Sequence, residues 1–529
     1  MPGDGRWRRR PSGRWRIIRS LLFGEHGVPA GPEPEPEYFH DLNLDQVVRA
    51  VTREHAGFGL ETFFHLPLRD PELIGFRQAI FRELEDPARY EVAERFTTGM
   101  ARTRRRLEIM GRTKHPPQAH RWFLEAVLEY EATVLGLAEG LEPATAPGLR
   151  GLREDLSEHV AAASFTGPGE EARRLRDRLG QVAYDLFLRG DTITVAAHDP
   201  GARFDFADQV LAAFDRFRPD RPSGGREDPA TARRAAGMNL DQVEAGVLDL
   251  VVELHPGVFG ELAAFCEVHR DLLDEGIVRI DRELRFYLGY LEFLAPLREA
   301  GLPFCHPEVS ATEKGLLARD LFDLALADKL VAGGGRVVGN DIDLGEGERI
   351  LLLSGPNQGG KTTLSRAFGQ LHHLAALGCP VPARRARLFL PDRILTHYER
   401  AENPAGLASK LEEELLRMRA ILDHATPDSL IVLNEIFTST TSEDALALSR
   451  AVLAALSRLD APCLWVSFLD ELSRLSPGTV SMVSTVLDDG GHTRTYKIER
   501  RVPDGRAYAM ALAGRHGLTY DRLTSRLGR

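Results

Sequence analysis

The chain has 529 residues, 43% of them hydrophobic, and is long enough for roughly two to four domains with cores of their own. Its net charge of −11 excludes an overall field that attracts nucleic acid, and no apolar run is as long as a membrane span. The four cysteines are far apart in sequence, which does not support a disulfide scaffold or a zinc site and indicates a reduced, cytoplasmic protein.

Positive charge is concentrated in two short stretches. Residues 1–20 contain seven arginines against one acidic residue, and a Pro/Glu-rich linker follows at 29–37. We therefore expect residues 1–39 to form a basic, Pro/Glu-rich flexible segment. The second stretch supplies the candidate DNA contacts, which are Arg102, Arg104, Arg105, Arg106, Arg112 and Lys114. For each stretch taken alone, a solvated charged surface is the simpler interpretation.

Residues 40–301 have helical periodicity almost throughout. Within 284–294, leucine and tyrosine recur every three or four residues and so lie on one helical face. Residues 192–195 instead alternate polar and apolar side chains, and 199–201 can turn the chain after them, which predicts a small β excursion. We expect one mainly α-helical domain over this range.

From about residue 302 the pattern changes to strand, loop and helix. Three apolar runs, at 350–353, 429–433 and 462–467, are typical of buried strands in a parallel sheet. The first leads directly into Gly355-x4-Gly360-Lys361-Thr362, which is the P-loop pattern. Residues 302–529 are therefore predicted to be an α/β nucleotide-binding domain with ligand loops at the carboxyl ends of its strands.

The spacing of the P-loop has a chemical reason. Its glycines let backbone N–H groups face the phosphates of a nucleotide, and Lys361 can reach the β and γ phosphates. The hydroxyl of Thr362 is placed to ligate Mg²⁺. The helix that begins here also presents its positive end to the same anion. We therefore expect ATP and Mg²⁺ to bind at this loop.

Longer runs make the resemblance more specific than a generic P-loop. The loop reads Gly355-Pro356-Asn357-Gln358-Gly359-Gly360-Lys361-Thr362-Thr363. It is similar to the Gly-Pro-Asn-x-Gly-Gly-Lys-Ser/Thr-Thr loop of the MutS family of DNA mismatch-repair proteins, within the wider ABC-type ATPases. Further runs that resemble this family lie at 339–342, 377–383, 409–414, 434–444 and 508–514. The match covers 302–529 well and extends weakly to 59–77.

The resemblance implies an ABC-type P-loop ATPase domain at 302–529, preceded by a helical core and lever domain with a reduced clamp at 40–301. It implies that residues 355–363 and Asn340 bind the nucleotide and that Lys361 and Glu435 are catalytic. Ser409 stands where the family has a signature serine, which reaches the γ-phosphate bound by the other subunit. The resemblance therefore also implies a homodimer, with Ser409 acting in trans.

Two departures from the family pattern concern hydrolysis. Asn434 stands where the family has the aspartate that helps to hold hydrated Mg²⁺, so Mg²⁺ held by Thr362 and Asn434 would be bound more weakly. Phe468 stands where the family has its switch histidine, and a phenyl ring cannot donate a hydrogen bond to a γ-phosphate. Nucleotide binding should survive and hydrolysis should be slow. A switch with almost no turnover is the close alternative.

The N-terminal part departs from the pattern as well. Roughly 40 residues precede the helical region, too few for the family's β-rich mismatch-recognition domain, so direct mismatch reading is not expected. We expect a slow ATPase that couples nucleotide state to DNA binding in repair or recombination. The alternative is an ATP-gated switch that holds a protein partner, with little hydrolysis and no DNA contact. The acidic net charge favours that alternative.

Overall fold

The computed structural model describes residues 19–25, 34–189, 192–198, 242–399, 410–486, 494–502, 518 and 520–526. Within these ranges the first half of the chain is helical, and strands alternate with helices in the second half. The predicted mixed α/β fold with a helical N-terminal region is confirmed. Among the described helices, none combines the length and the apolar character needed to cross a membrane.

Proline and aspartate set where many of the first-half helices begin. Several start with proline, whose missing N–H is not needed in the first turn. The side chains of Asp70, Asp86 and Asp274 accept hydrogen bonds from backbone N–H groups of the helices that follow them. The helices are α1 Tyr38–Asp41, α2 Leu44–Thr52, α3 Glu61–Phe64, α4 Pro71–Leu84, α5 Pro87–Arg112, α6 Pro116–Gly140, α7 Pro147–Ala161, α8 Ala163–Gly180, α9 Gln242–Leu254, α10 Pro256–Val268 and α11 Glu275–Glu299.

One antiparallel hairpin interrupts the helical half. It pairs β1, Tyr184–Arg189, with β2, Thr192–Ala197. The β excursion predicted at 192–195 is therefore present, whereas the turn predicted at 199–201 lies outside the described residues.

Among the described residues, the second half contains two sheets. Their strands are β3 Glu308–Ser310, β4 Leu316–Leu321, β5 Asn340–Leu344, β6 Ile350–Ser354, β7 Arg385–Phe389, β8 Ile394–His397, β9 Leu430–Asn434, β10 Cys463–Val466, β11 Thr479–Val486 and β12 Arg494–Arg500. Five strands of the larger sheet are parallel and β12 pairs antiparallel at its edge, in the order β12-β11-β6-β10-β9-β8. The smaller sheet has the order β3-β7-β4-β5. The helices are α12 Leu324–Ala332, α13 Lys361–Ala376, α14 Lys410–His424, α15 Ser442–Leu459 and α16 Tyr520–Arg526.

The strands predicted from apolar runs form the centre of the larger sheet. β6, β9 and β10 are buried along their whole length, because a parallel sheet is covered on both faces. β10 lies between β6 and β9 and is parallel to both. The carboxyl ends of all three strands therefore meet at one edge, which brings together the P-loop, the Asn434–Glu435 pair and Phe468.

The helix that follows the P-loop, α13, joins the two halves. Its Gln370 amide donates to the Leu42 carbonyl oxygen at 2.8 Å, and His373 Nε2 lies 2.9 Å from the carbonyl oxygen of Phe64. Burial lowers the pKa of His373 to about 3, so this contact is made by a neutral imidazole. The hydrophobic core runs without interruption across the boundary predicted at residue 301.

Residues 19–25 correct the flexible segment that we predicted for 1–39. Leu21, Leu22 and Phe23 are fully buried in the main core. The Leu21 N–H donates to Glu283 at 2.6 Å, and the Tyr287 hydroxyl donates to the Leu21 carbonyl oxygen at 2.6 Å. Three adjacent apolar side chains and paired backbone groups hold this short stretch in place. Residues 1–18 and 26–33 lie outside the described residues.

Arg77 connects this buried stretch to the end of α13. Its side chain is 1% exposed, and it donates to the carbonyl oxygens of Leu22, at 2.8 Å, and Leu377, at 3.1 Å. Arg77→Ala would leave both carbonyls buried without a partner, so we expect the free energy of unfolding to fall by about 3 kcal/mol. Urea denaturation followed by circular dichroism measures this loss.

Arg82→Ala is the matched control for that experiment, because Arg82 lies exposed on the same helix and donates to Gln78. We expect it to change the free energy of unfolding by less than about 0.5 kcal/mol. Equal losses for the two variants would contradict the role given to Arg77.

Candidate nucleotide-binding site

The P-loop follows β6 and has the backbone of a phosphate cradle. Gly360 has φ of 89°, a left-handed conformation that side chains with a Cβ rarely adopt. A Cβ on Gly359 would collide with Ser484 of β11. The Ser484 hydroxyl also donates to the Gly359 carbonyl oxygen at 2.8 Å. Both glycines are therefore needed for the loop to close against the neighbouring strand.

Lys361 is the first residue of α13 and is buried. Its Nζ donates to the carbonyl oxygens of Gly355, at 2.9 Å, and Pro356, at 3.0 Å. Burial lowers the pKa of Lys361 below its ordinary value, and the negative charge of Glu435 opposes that shift. The same ammonium lies 4.8 Å from the centre of the Phe468 ring.

Asn434 and Glu435 stand at the end of β9. The Glu435 N–H donates to the Val466 carbonyl oxygen at 3.0 Å. The backbone φ angle of Glu435 is 53°. Burial raises the pKa of the Glu435 carboxyl, and the charge of Lys361 opposes the shift. The electrostatic coupling of these two side chains indicates that the structure brings the predicted base and the P-loop lysine into one site.

The residues at this edge fit a magnesium ion held together with nucleotide phosphates. The Oδ1 atom of Asn434 is buried and has no hydrogen-bond partner among the described residues. The Thr362 hydroxyl is a second oxygen donor beside the P-loop, and Mg²⁺ prefers oxygen ligands. Within the described ranges, no group of three or more His, Cys, Asp or Glu side chains could hold a metal. A metal here would therefore depend on phosphate and water oxygens as well.

A cavity of about 420 Å³ opens beside the P-loop, within the usual size range of small-molecule pockets. Residues 358–363 and Glu435 line it. Leu326 and Leu330 of α12 and Val337 also line it. A cleft with both polar and apolar lining residues fits a nucleotide, because the phosphates are charged and the base is largely apolar.

Asn340 lines this cavity, but its amide is already engaged. Its Nδ2 donates to the Tyr496 carbonyl oxygen at 3.1 Å, and its Oδ1 accepts from the Ile498 N–H at 2.8 Å. Both bonds tie the start of β5 to β12. The structure therefore indicates that Asn340 positions the cavity wall, whereas direct contact with the nucleotide remains a prediction.

Two residues of β12 belong to the site and were missed from the sequence. Tyr496 lines the cavity with its side chain half-exposed, and its backbone approaches Gly360. The positive charge of Arg494 contributes to the lowered pKa of Lys361, and the Nη1 atom of Arg494 is buried without a hydrogen-bond partner in the described chain. No motif marks either residue, because strand pairing places them beside the P-loop.

Some predicted residues cannot be placed. Ser409 lies outside the described residues, as does the C-terminal stretch 508–514 that resembles the family. The role of Ser409 in a partner's site therefore stays a prediction.

Four of the six residues of the basic cluster pair with carboxylates, but Glu129 is shared by two arginines and Asp281 also pairs with Arg285. Arg102 and Arg106 pair with Glu129 of α6, at 2.6 and 2.9 Å. Arg104 contacts the buried carboxylate of Asp281. Arg105 lies 3.7 Å from Glu108. Among the described residues, Arg112 and Lys114 have no ion pair, so these two are the members of the cluster whose charge is uncompensated.

Comparison with known proteins gives a family match over this site. Residues 351–517 match the family model "MutS domain V", a range that includes the P-loop, Glu435 and Phe468. A DNA mismatch repair protein MutS from Granulibacter bethesdensis is 35% identical over 270 residues, which are 50% of this chain and 27% of that protein. Residues 351–517 therefore resemble domain V of the MutS family.

Two further relatives match shorter lengths of the chain. A MutS from Halalkalibacterium halodurans is 32% identical over 203 residues, which are 36% of this chain and 23% of that protein. An Endonuclease MutS2 from Thermus thermophilus is 34% identical over 188 residues, which are 35% and 25% of the two chains. The matched part of this chain thus spans about a quarter of these relatives' length.

Proposed function

We propose that this protein binds ATP with Mg²⁺ at the P-loop and hydrolyses it slowly. The observation that supports this most directly is the meeting of the glycine cradle, the buried Lys361 and Glu435 at one edge of the sheet, in the lining of one cavity that also has apolar side chains. Backbone N–H groups of the loop would bind the phosphates, and Lys361 would exchange its two carbonyl contacts for phosphate oxygens.

Glu435 would orient the attacking water, because it is a carboxylate that lines the same cavity as the P-loop lysine. Mg²⁺, when bound, would neutralise charge on the phosphates. Asn434 offers an oxygen for its hydration shell but no negative charge, and Phe468 offers no hydrogen-bond donor. These two side chains are our reason for proposing slow turnover.

We further propose that nucleotide state is coupled to DNA binding in a homodimer. α13 begins at Lys361 and makes direct hydrogen bonds with the helical half through Gln370 and His373. A shift of this helix when nucleotide binds would therefore move the helical half. The relatives named as DNA mismatch repair proteins make DNA the first candidate ligand.

A second candidate is an ATP-gated switch that holds a protein partner. The ion pairs of Arg102, Arg104 and Arg106 favour it, because the carboxylates offset part of the charge that would bind DNA phosphates. In that case the helical half would change its grip on a protein and DNA binding would be absent.

A salt titration distinguishes these candidates. We expect the protein to bind homoduplex, mismatched or branched DNA at low salt, with affinity that falls as salt rises. The double variant Arg112→Ala/Lys114→Ala should make the negative slope of log K against log salt shallower by about 2 units. The reason is that each cation is expected to neutralise one phosphate. Fluorescence anisotropy with labelled DNA, with and without ATP, measures both quantities.

Arg102→Ala is the control, since Arg102 already pairs with Glu129 and should contribute little to the slope. If none of the three DNA forms binds at low salt, the coupling to DNA is wrong and the protein-partner function is favoured.

A further inference from the structure

The ring of Phe468 lies over the P-loop lysine. Phe468 follows β10, at the sheet edge that also carries Glu435, and its ring centre is 4.8 Å from Lys361 Nζ. The turn that carries it is braced by a hydrogen bond from the Leu469 N–H to the Ser467 hydroxyl at 3.1 Å. The side chain is 48% exposed, so it is not fixed by the core and can be displaced by a ligand.

Lys361 has little capacity left for a phosphate in this arrangement. An ammonium has three N–H donors, and two bond the carbonyl oxygens of Gly355 and Pro356. The aromatic face attracts the same charge, and at 4.8 Å it lies within the range of a cation–π contact. A phosphate oxygen that reaches Lys361 must therefore compete with this ring.

The β-phosphate and the γ-phosphate of a nucleotide would compete with the ring to different degrees. The backbone N–H groups of the loop can hold a β-phosphate, whereas a γ-phosphate extends beyond the loop toward Lys361 and Glu435. Phe468 stands on the Glu435 side, at the carboxyl end of the strand between β6 and β9. A γ-phosphate would therefore compete with the ring for Lys361 more directly than a β-phosphate, which the backbone N–H groups of the loop also hold.

We propose that Phe468 makes this site discriminate between nucleotides, weakening nucleoside triphosphate relative to diphosphate by competing with the γ-phosphate for Lys361. This inference rests on the proposed nucleotide binding and adds a specificity-determining residue to it. The chain would then favour diphosphate over triphosphate more than a P-loop whose lysine is uncovered.

Dissociation constants for ADP and for a non-hydrolysable ATP analogue, measured with Mg²⁺ on full-length protein, test the proposal. Phe468→Ala should tighten the triphosphate analogue by about 2- to 30-fold, which is the range of a cation–π contact, and leave ADP within about twofold. Phe468→Leu keeps the apolar bulk and should act like alanine. Phe468→Trp keeps the aromatic face and should preserve the discrimination. Leu475→Ala, at an equally exposed position, is the control and should change neither constant.

The outcomes separate this inference from the function on which it rests. If wild-type protein binds neither nucleotide, the proposed function fails. Suppose instead that wild-type protein binds both nucleotides. If Phe468→Ala then changes the two dissociation constants equally, changes neither, or weakens binding of the triphosphate analogue, the proposed discrimination by Phe468 is wrong. Nucleotide binding itself would still stand. Unchanged ADP affinity in the variants also shows that the cradle has kept its fold.

Discussion

Lys361→Ala is expected to raise the dissociation constant for ATP by at least about 100-fold. The lysine is the buried cation of the P-loop and would supply charge-assisted hydrogen bonds to two phosphates, worth about 1.5–3 kcal/mol each. Alanine removes both bonds and leaves the negative charge of Glu435 facing the phosphates. Equilibrium titration with a fluorescent ATP analogue measures the change.

Lys329→Ala controls for the loss of a lysine. Lys329 is exposed on α12, next in sequence to the cavity-lining Leu330, and its Nζ donates to Gln46. We expect this variant to bind ATP within about twofold of wild type. If Lys361→Ala also binds ATP normally, the P-loop is not the nucleotide site and the assignment fails.

Asn434→Asp together with Phe468→His is expected to raise the rate of ATP hydrolysis by about 10- to 100-fold. The aspartate adds the negative charge that holds hydrated Mg²⁺, and the imidazole can donate to the γ-phosphate in the transition state. Each single change should give part of the gain. Phosphate release at saturating ATP measures the rate.

The same experiment shows whether the gain comes from this site. Adding Glu435→Gln to the double variant removes the proposed base and should return the rate to the wild-type level or below. A gain that survives this third change would have to come from a contaminating enzyme. No gain in the double variant would mean that Asn434 and Phe468 are not what limits turnover.

The central strands and the P-loop could be predicted because their signals are local. A strand buried on both faces must be apolar at every position, as residues 350–353 are, and the loop's chemistry depends on a few adjacent residues. Parallel pairing then fixes where the strand ends meet. The position of Glu435 near Lys361 follows from these facts alone.

The burial of residues 19–25 could not be predicted in the same way. The apolar run Leu21–Phe23 is short and follows an arginine-rich stretch, which is typical of a flexible tail. Its partners, Glu283 and Tyr287, are more than 260 residues away in sequence. Only the packing of α11 against the rest of the core reveals that they meet.

The ion pairs of the basic cluster could not be predicted for a related reason. Sequence shows like charges close together on α5, but the compensating carboxylates come from other helices. Glu129 lies on α6 and Asp281 on α11, so neither is visible as a neighbour of the arginines. Tyr496 was missed because strand pairing, rather than a motif, brings β12 to the P-loop.

The most direct test of the whole account is single-turnover cleavage of ATP by an excess of wild-type protein and of the Asn434→Asp/Phe468→His variant. We predict that wild-type protein binds the ATP fully and cleaves it slowly, and that the variant cleaves it about 10- to 100-fold faster. Failure of wild-type protein to bind ATP, or rapid cleavage that the two substitutions do not improve, would contradict the account.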